Sequence, residues 1–202
     1  MNKYNYILII LLTFLCFVSC NSFNTKNKEI RSIDDLELIN DHFYLNGQKF
    51  NGIIQVNADS GGIILSETVD GKDQGKYKEY SEDGSLLTEA NQKDGYFHGK
   101  MTVYHENGSK AFEAVYKNGN LNGKYIEWYN TDEVKVKTTY KNNLENGPYV
   151  LQAKSGDILL KGKMEDGLRE GEWYETTLQL PVYIINKYHK GEVIGESKKY
   201  KK

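Results

Sequence analysis

Few residues of this chain have the means to do chemistry, and their spacing decides what they could do. Cys16 and Cys20 both fall in the first twenty residues, so everything after them lacks a disulfide framework, a thiolate metal site or a cysteine nucleophile. Of the four histidines, His98 and His105 are seven apart with a turn between them, while His42 and His189 stand alone. No His-x-His or His-Glu-x-x-His spacing exists to hold zinc, and the four are read as solvated. Ser60 and Ser85 neighbour glycines without the Gly-x-Ser-x-Gly elbow of a nucleophile, and turn chemistry accounts for them. Glu79, Glu127 and Glu175 share one repeat position and could line up along a face. Taken as two strands apart, they would be separated by about 9–10 Å, which is long for a retaining glycosidase pair, and a solvated stripe is the simpler reading. Asp132, Glu133, Asp157 and Asp166 lack calcium-loop spacing, and the glycine clusters do not form a phosphate loop between strand and helix. The expectation is a non-enzymatic protein with no catalytic residues, no metal and no cofactor.

Cys20 has a different chemistry. The apolar run Tyr6 to Val18 follows a short leader carrying Lys3, and small residue Ser19 directly precedes the cysteine. Thirteen apolar residues are short of the ~20 that span a bilayer, and the pattern reads as an export signal. The placement of Cys20 resembles the lipobox of bacterial lipoproteins, although Phe17 stands where leucine is usual. The resemblance implies lipid attachment at Cys20, and hence a protein held by that lipid at the outer membrane or the periplasmic face of the inner membrane. The expected organisation is a lipoprotein signal peptide over 1–19, a polar tether over 20–40 and a repeat domain over 41–202. Ile33, Leu36 and Leu38 or Ile39 sit near helical spacing, but the segment is read as linker.

The rest of the chain would have to position any such site. Sixteen tyrosines and 19 glycines stand against 2 prolines, a mixture suited to short strands joined by glycine turns. The 26 basic and 28 acidic residues are spread throughout, giving a net charge of −2, so no field of one sign is expected to draw in nucleic acid. Gly52, Gly75, Gly99, Gly123, Gly147, Gly171 and Gly195 recur at one interval of 23 residues (75−52) and five of 24 (99−75 onward). A second series runs Gly71, Gly95, Gly119, Asn143, Gly167 and Gly191, and a third Gly84, Gly108, Asp132 and Gly156. The residues replacing glycine are those that best tolerate left-handed backbone, so each series preserves a turn. Two turns per repeat predict two strands per repeat.

The strands follow from alternation. Successive second limbs carry Leu86, Val134, Ile158 and Val182, then Phe112, Val136, Leu160 and Ile184, then Tyr116, Tyr140, Met164 and Tyr188. Polar residues such as Glu89, Glu113, Lys137 and Lys161 fall between, which describes a half-buried antiparallel strand. In the first limbs, aromatics two and five places after the glycine (Tyr77 and Tyr80, Tyr125 and Trp128) predict either a bulge or rings on both faces.

Gly75-Lys76-Tyr77-Lys78-Glu79-Tyr80, the turn residues, and Tyr116-Lys117-Asn118-Gly119-Asn120-Leu121-Asn122-Gly123 resemble the MORN repeat in its bacterial variant form, as in antitoxin-like proteins of the YwqK type. The resemblance covers about residues 43–200 and implies an all-β, elongated antiparallel meander of 24-residue hairpins, each touching mainly its neighbours. Tyr80, Tyr104, Trp128, Tyr129, Trp173 and Tyr174 are the candidate binding surface. The expected role is an envelope lipoprotein that binds or scaffolds a protein partner. A toxin-neutralising role and a carbohydrate-binding module that holds a glycan on the aromatic residues are the alternatives. The divergent last unit, with Leu180-Pro181 for its glycine turn and Lys198, Lys199, Lys201 and Lys202 beyond, is read as a charged cap.

Overall fold

The computed structural model describes residues 28–176 and 182–201. Cys16, Cys20, the expected signal segment and Leu180-Pro181 lie outside the described residues. In chain order the strands are β1 (Ile30–Ser32), β2 (Glu37–Ile39), β3 (His42–Leu45), β4 (Gln48–Lys49), β5 (Gly52–Asn57), β6 (Ile63–Val69), β7 (Lys72–Tyr80), β8 (Leu86–Lys93), β9 (Tyr96–Tyr104) and β10 (Lys110–Lys117). There follow β11 (Asn120–Trp128), β12 (Val134–Lys141), β13 (Leu144–Glu145), β14 (Gly147–Gln152), β15 (Ile158–Glu165), β16 (Leu168–Thr176), β17 (Val182–His189), β18 (Glu192–Val193) and β19 (Lys198–Lys201). From β5 to β17 the chain is a meander in which each long strand pairs antiparallel with the next along one sheet; the short β13 folds back on β12, β18 and β19 both pair with β17, and β1 adds in parallel beside β5. β2, β3 and β4 form a separate three-stranded sheet.

The glycine series explain this course. At one end of the hairpins, Asp94-Gly95 (φ 53° and 84°), Asn118-Gly119 (49° and 79°) and Asn142-Asn143 (50° and 68°) hold two consecutive left-handed residues, the geometry of a two-residue primed turn. The second residue of each turn also donates its N–H to the preceding hairpin: Gly95 to Asp73, Gly119 to Phe97 and Asn143 to Leu121, at 2.9, 2.9 and 3.0 Å. At the other end, Ser81 N–H donates to Ser85 C=O and Gly84 N–H to Ser81 C=O, closing a three-residue loop; the same pair of bonds recurs at His105–Ser109, Tyr129–Glu133 and Ala153–Asp157. The first glycine series does a third job. Gly75 (φ 118°) and Gly123 (φ 137°) sit inside strands, beside register shifts where the pleat is broken.

A second shift lies next to the three-residue loops, between Glu79 and Tyr80, and again between Glu127 and Trp128. The extra residue, Leu87 or Lys135, stands in the second limb, so the first limb stays regular and its aromatics two and five places after the glycine lie on opposite faces, the second of the two expected arrangements. This shift also divides the apolar set read as one register. Leu86 pairs with Tyr80 and packs with Ile53 and Leu65 on one face, whereas Tyr116 and Phe112 belong to the other.

On that other face, cross-strand register sets large residues beside small ones: Tyr77 between Ser66 and Ala90, Met101 between Ala90 and Ala114, Tyr125 between Ala114 and Thr138. Tyr149 pairs with Gly162, and Trp173 with Asn186. Small neighbours let each ring lie across the sheet; a Cβ on Gly162 would overlap the Trp173 indole. Rings meet across β8 as Tyr77–Phe97 (5.2 Å), and in adjoining strands as Phe97–Tyr116 (6.0 Å), Tyr125–Tyr140 (5.6 Å) and Trp173–Tyr188 (6.2 Å). Pairs of this kind contribute about 0.5–1.5 kcal/mol each beyond burial. We call this the ladder face, and the opposite one the lysine face.

Residues 30–39, the distal half of the expected tether, are built into the fold. Ile30–Ser32 hydrogen-bonds along β5, Ser32 caps a single 3-10 turn over Ile33–Asp35, and Glu37–Ile39 opens the small sheet. Edge backbone of β5 needs partners, and this segment supplies them.

Candidate binding surface

The six surface aromatics expected from sequence divide between the interior and both faces. Trp173 is 1% exposed, inside the ladder with Met164 and Tyr188, and Tyr80 is 9% exposed, inside the cluster with Ile53 and Leu65. These two are interior residues in the folded chain. Tyr104 is half-buried on the lysine face and donates its hydroxyl to Glu89 at 2.8 Å. Burial, and then that carboxylate, push the Tyr104 phenol up to about 12. Trp128, with Lys110 Nζ 5.6 Å from its ring centre, and Tyr174, with Lys161 Nζ at 5.2 Å, remain half-exposed. Tyr129 sits at a loop, donating to Gln152 C=O, with Lys135 and Lys154 about its ring.

The carboxylates Glu79, Glu127 and Glu175 do share the ladder face, but the expected separation of two strands is corrected. They occur in every second repeat, with Val103 and Leu151 between them, so they stand four strands apart, at about 19 Å. Each is engaged locally: Thr88 donates to Glu79, Lys135 pairs with Glu127 at 2.6 Å, and Arg169 pairs with Glu175. The histidines are dispersed, His98 against Asn118, His105 against Trp128 C=O and His189 against Glu170. Among the described residues no three metal-binding side chains lie together.

The lysine face was not singled out by sequence reasoning. One straight cross-strand row runs along it. Its first half is Leu65, Lys78, Glu89, Thr102, Glu113 and Ile126, each in register with the next. Its second half continues as Lys137, Val150, Lys161, Tyr174, Ile185 and Lys198. In the first half the charged side chains are engaged by neighbours on the sheet. Glu113 pairs with Lys100 at 2.5 Å and Lys110 at 2.7 Å, and Lys76 donates to Asn91. Burial alone would raise the Glu113 carboxyl, but the two ammonium groups outweigh it and hold the group below its ordinary value. A shallow hollow of about 230 Å³ lies among Lys76, Lys78, Glu89, Asn91, Lys100 and Thr102, and its lysines outnumber its one carboxylate.

The second half is not matched. Lys137 and Lys161 occupy the repeat positions of Glu89 and Glu113, 24 residues apart in succession (113−89, 137−113, 161−137). Lys124, Lys137, Lys161 and Lys187 are exposed, and among the described residues no carboxylate lies within ion-pair distance of them. Glu172, in register with Lys187, makes no ion pair with it. Nearby Lys163 is held by Glu165 at 2.9 Å. Beyond Lys161 the rings of Tyr174, Tyr183 and Tyr200 stack at 4.8 and 5.1 Å. The signal for this face was legible: one column of the repeat reads Glu, Glu, Lys, Lys.

No protein-family model and no curated protein matches the chain. The geometry defines its class as a single-layer antiparallel array of β-hairpin repeats.

Proposed function

We propose that this chain is a non-enzymatic envelope lipoprotein, anchored through Cys20, whose extended MORN-like sheet binds or scaffolds a protein partner. The observation that carries this reading is the single layer itself. Between β10 and β17 neither face is covered by a second sheet or helix among the described residues, so a long surface fixed by neighbour-to-neighbour pairing stays accessible along both faces. Half-exposed Trp128, Tyr129 and Tyr174, each with a lysine at its ring, supply rigid contact groups at low entropy cost. The sequence before residue 28 supplies the anchor, with Ser19-Cys20 closing an apolar run. The alternative of a glycan-binding module draws on those same ring–lysine pairs.

The test is mass spectrometry and fractionation of the expressed protein. The parent chain is expected in the membrane fraction with acyl mass on Cys20, and Cys20→Ser in the soluble fraction or uncleaved. An unmodified Cys20 in a protein still bound to membranes would end the lipoprotein reading, and photo-crosslinking from position 174 that captures no protein partner would end the scaffold reading.

A further inference from the structure

We propose that the C-terminal half of the lysine face binds an acidic polysaccharide, laid across the strands with its anions on Lys124, Lys137, Lys161 and Lys187. The inference rests on reading the sheet as a binding surface, and it names the ligand class for one half of one face.

Three features carry it. The first is uncompensated charge. Like charges on neighbouring positions of a sheet destabilise it, and the same column upstream holds glutamates that form pairs. Where lysine replaces them, no acid among the described residues pairs with it, so the counter-charge fits an external anion. The second is spacing. Lys137 and Lys161 lie two strands apart in direct register through Val150, at about 9–10 Å, and Lys124 stands diagonal to Lys137 at about 7–8 Å. Two strands match the length of a disaccharide, so a polymer with one anion per disaccharide meets one lysine per repeat. The third is what lies between. Val150 and Tyr174 present half-buried apolar surface beside the cations, a footing for the C–H faces of sugar rings.

Twist separates this ligand from a membrane surface. Adjacent strands rotate by about 20–25°, so the five steps from β11 to β17 turn the row through roughly 100° or more. A flat bilayer meets only part of such a row, whereas a flexible linear polymer follows it.

The full chain in detergent micelles is titrated with fluorescent hyaluronan oligosaccharides, which carry one carboxylate per disaccharide, and with alginate. Dextran, phosphatidylglycerol vesicles and oligothymidylate serve as the comparison arms. Binding of the acidic glycans, weakening as salt screens exposed charge and absent for dextran, is the expected result. The double variant Lys137→Glu, Lys161→Glu restores the residues of the upstream column, and is expected to keep its urea midpoint while losing at least tenfold in affinity. The proposal is overturned by failure of both acidic glycans, by equal binding of dextran, by an unchanged affinity in the double variant, or by tighter binding of vesicles or oligothymidylate. A captured protein partner at position 174 alongside such a failure would leave the scaffold reading standing.

Discussion

The two halves of the lysine face share one backbone register and differ in what covers it. Toward the N-terminus, Ile53, Leu65 and Tyr80 bury one another there, and the charged groups that follow are engaged by ion pairs or hydrogen bonds to their neighbours. Toward the C-terminus the buried cluster, Met164, Trp173 and Tyr188, has moved to the ladder face, and the lysine face is left with free ammonium groups and stacked tyrosines. A single sheet has no obligatory inside. Each repeat can place its apolar mass on either side of the pleat as long as its neighbours agree, and the side left lighter is the one open to function.

The largest effect that would sharpen this contrast comes from Trp173. Trp173→Ala removes a wholly buried ring together with its contacts to Tyr149, Tyr188 and the Arg169 guanidinium, and is expected to cost about 3–5 kcal/mol in urea denaturation. Because contacts run between neighbours, hydrogen exchange should show β14 to β17 opening while β5 to β8 stay protected. Uniform loss of protection across all strands would show that the halves do not hold together by separate clusters.

Gly162→Ala probes the same half more gently. The added methyl meets the Trp173 ring, and the expected cost is about 1–3 kcal/mol, measured by the same denaturation. The column that contains Gly162 holds Ala90 and Ala114, which carry that methyl beneath Met101 and Tyr125 and are buried without conflict. A neutral Gly162→Ala would mean that the indole is free to move and that the C-terminal cluster is looser than its burial implies.

Much of this was legible in the sequence, because turns are read locally. Asn118-Gly119 demands two left-handed residues whatever surrounds it, and a 24-residue return of such pairs leaves no other topology for the strands between. The faces were harder. Leu86 and Phe112 looked like one register because alternation was counted through a bulge, and the bulge beside the three-residue loop carries no residue signature of its own. Tyr80 and Trp173 read as surface rings for the same reason: an aromatic in a half-wet strand is exposed or buried according to what lies across from it, here Leu86 for one and Gly162 and Asn186 for the other. The segment Ile30–Ile39 was read as linker because three-residue strands are too short to show a period. The lysine face was spelled out in the column of Glu89, Glu113, Lys137 and Lys161, but a charge at a solvent position gains meaning only once its partners are known.

The smallest effect tests whether pairing truly distinguishes the halves. Glu113 is held below its ordinary value of 4.5, so its contribution is present above that value and is lost as pH falls through the lower, folded one. The pairs with Lys100 and Lys110 are partly exposed, and Glu113→Gln is therefore expected to cost no more than about 1 kcal/mol at neutral pH. The variant should also lose the corresponding part of the acid sensitivity, seen as a flatter stability curve below pH 4.5. Lys137→Gln and Lys161→Gln, which break no ion pair, should change stability by less over the same range, the second giving up only the exposed contact of Lys161 with the Tyr174 ring. If these two glutamine variants cost as much as Glu113→Gln, the lysines are held by something within the chain, and the contrast between a closed and an open half of the face is lost.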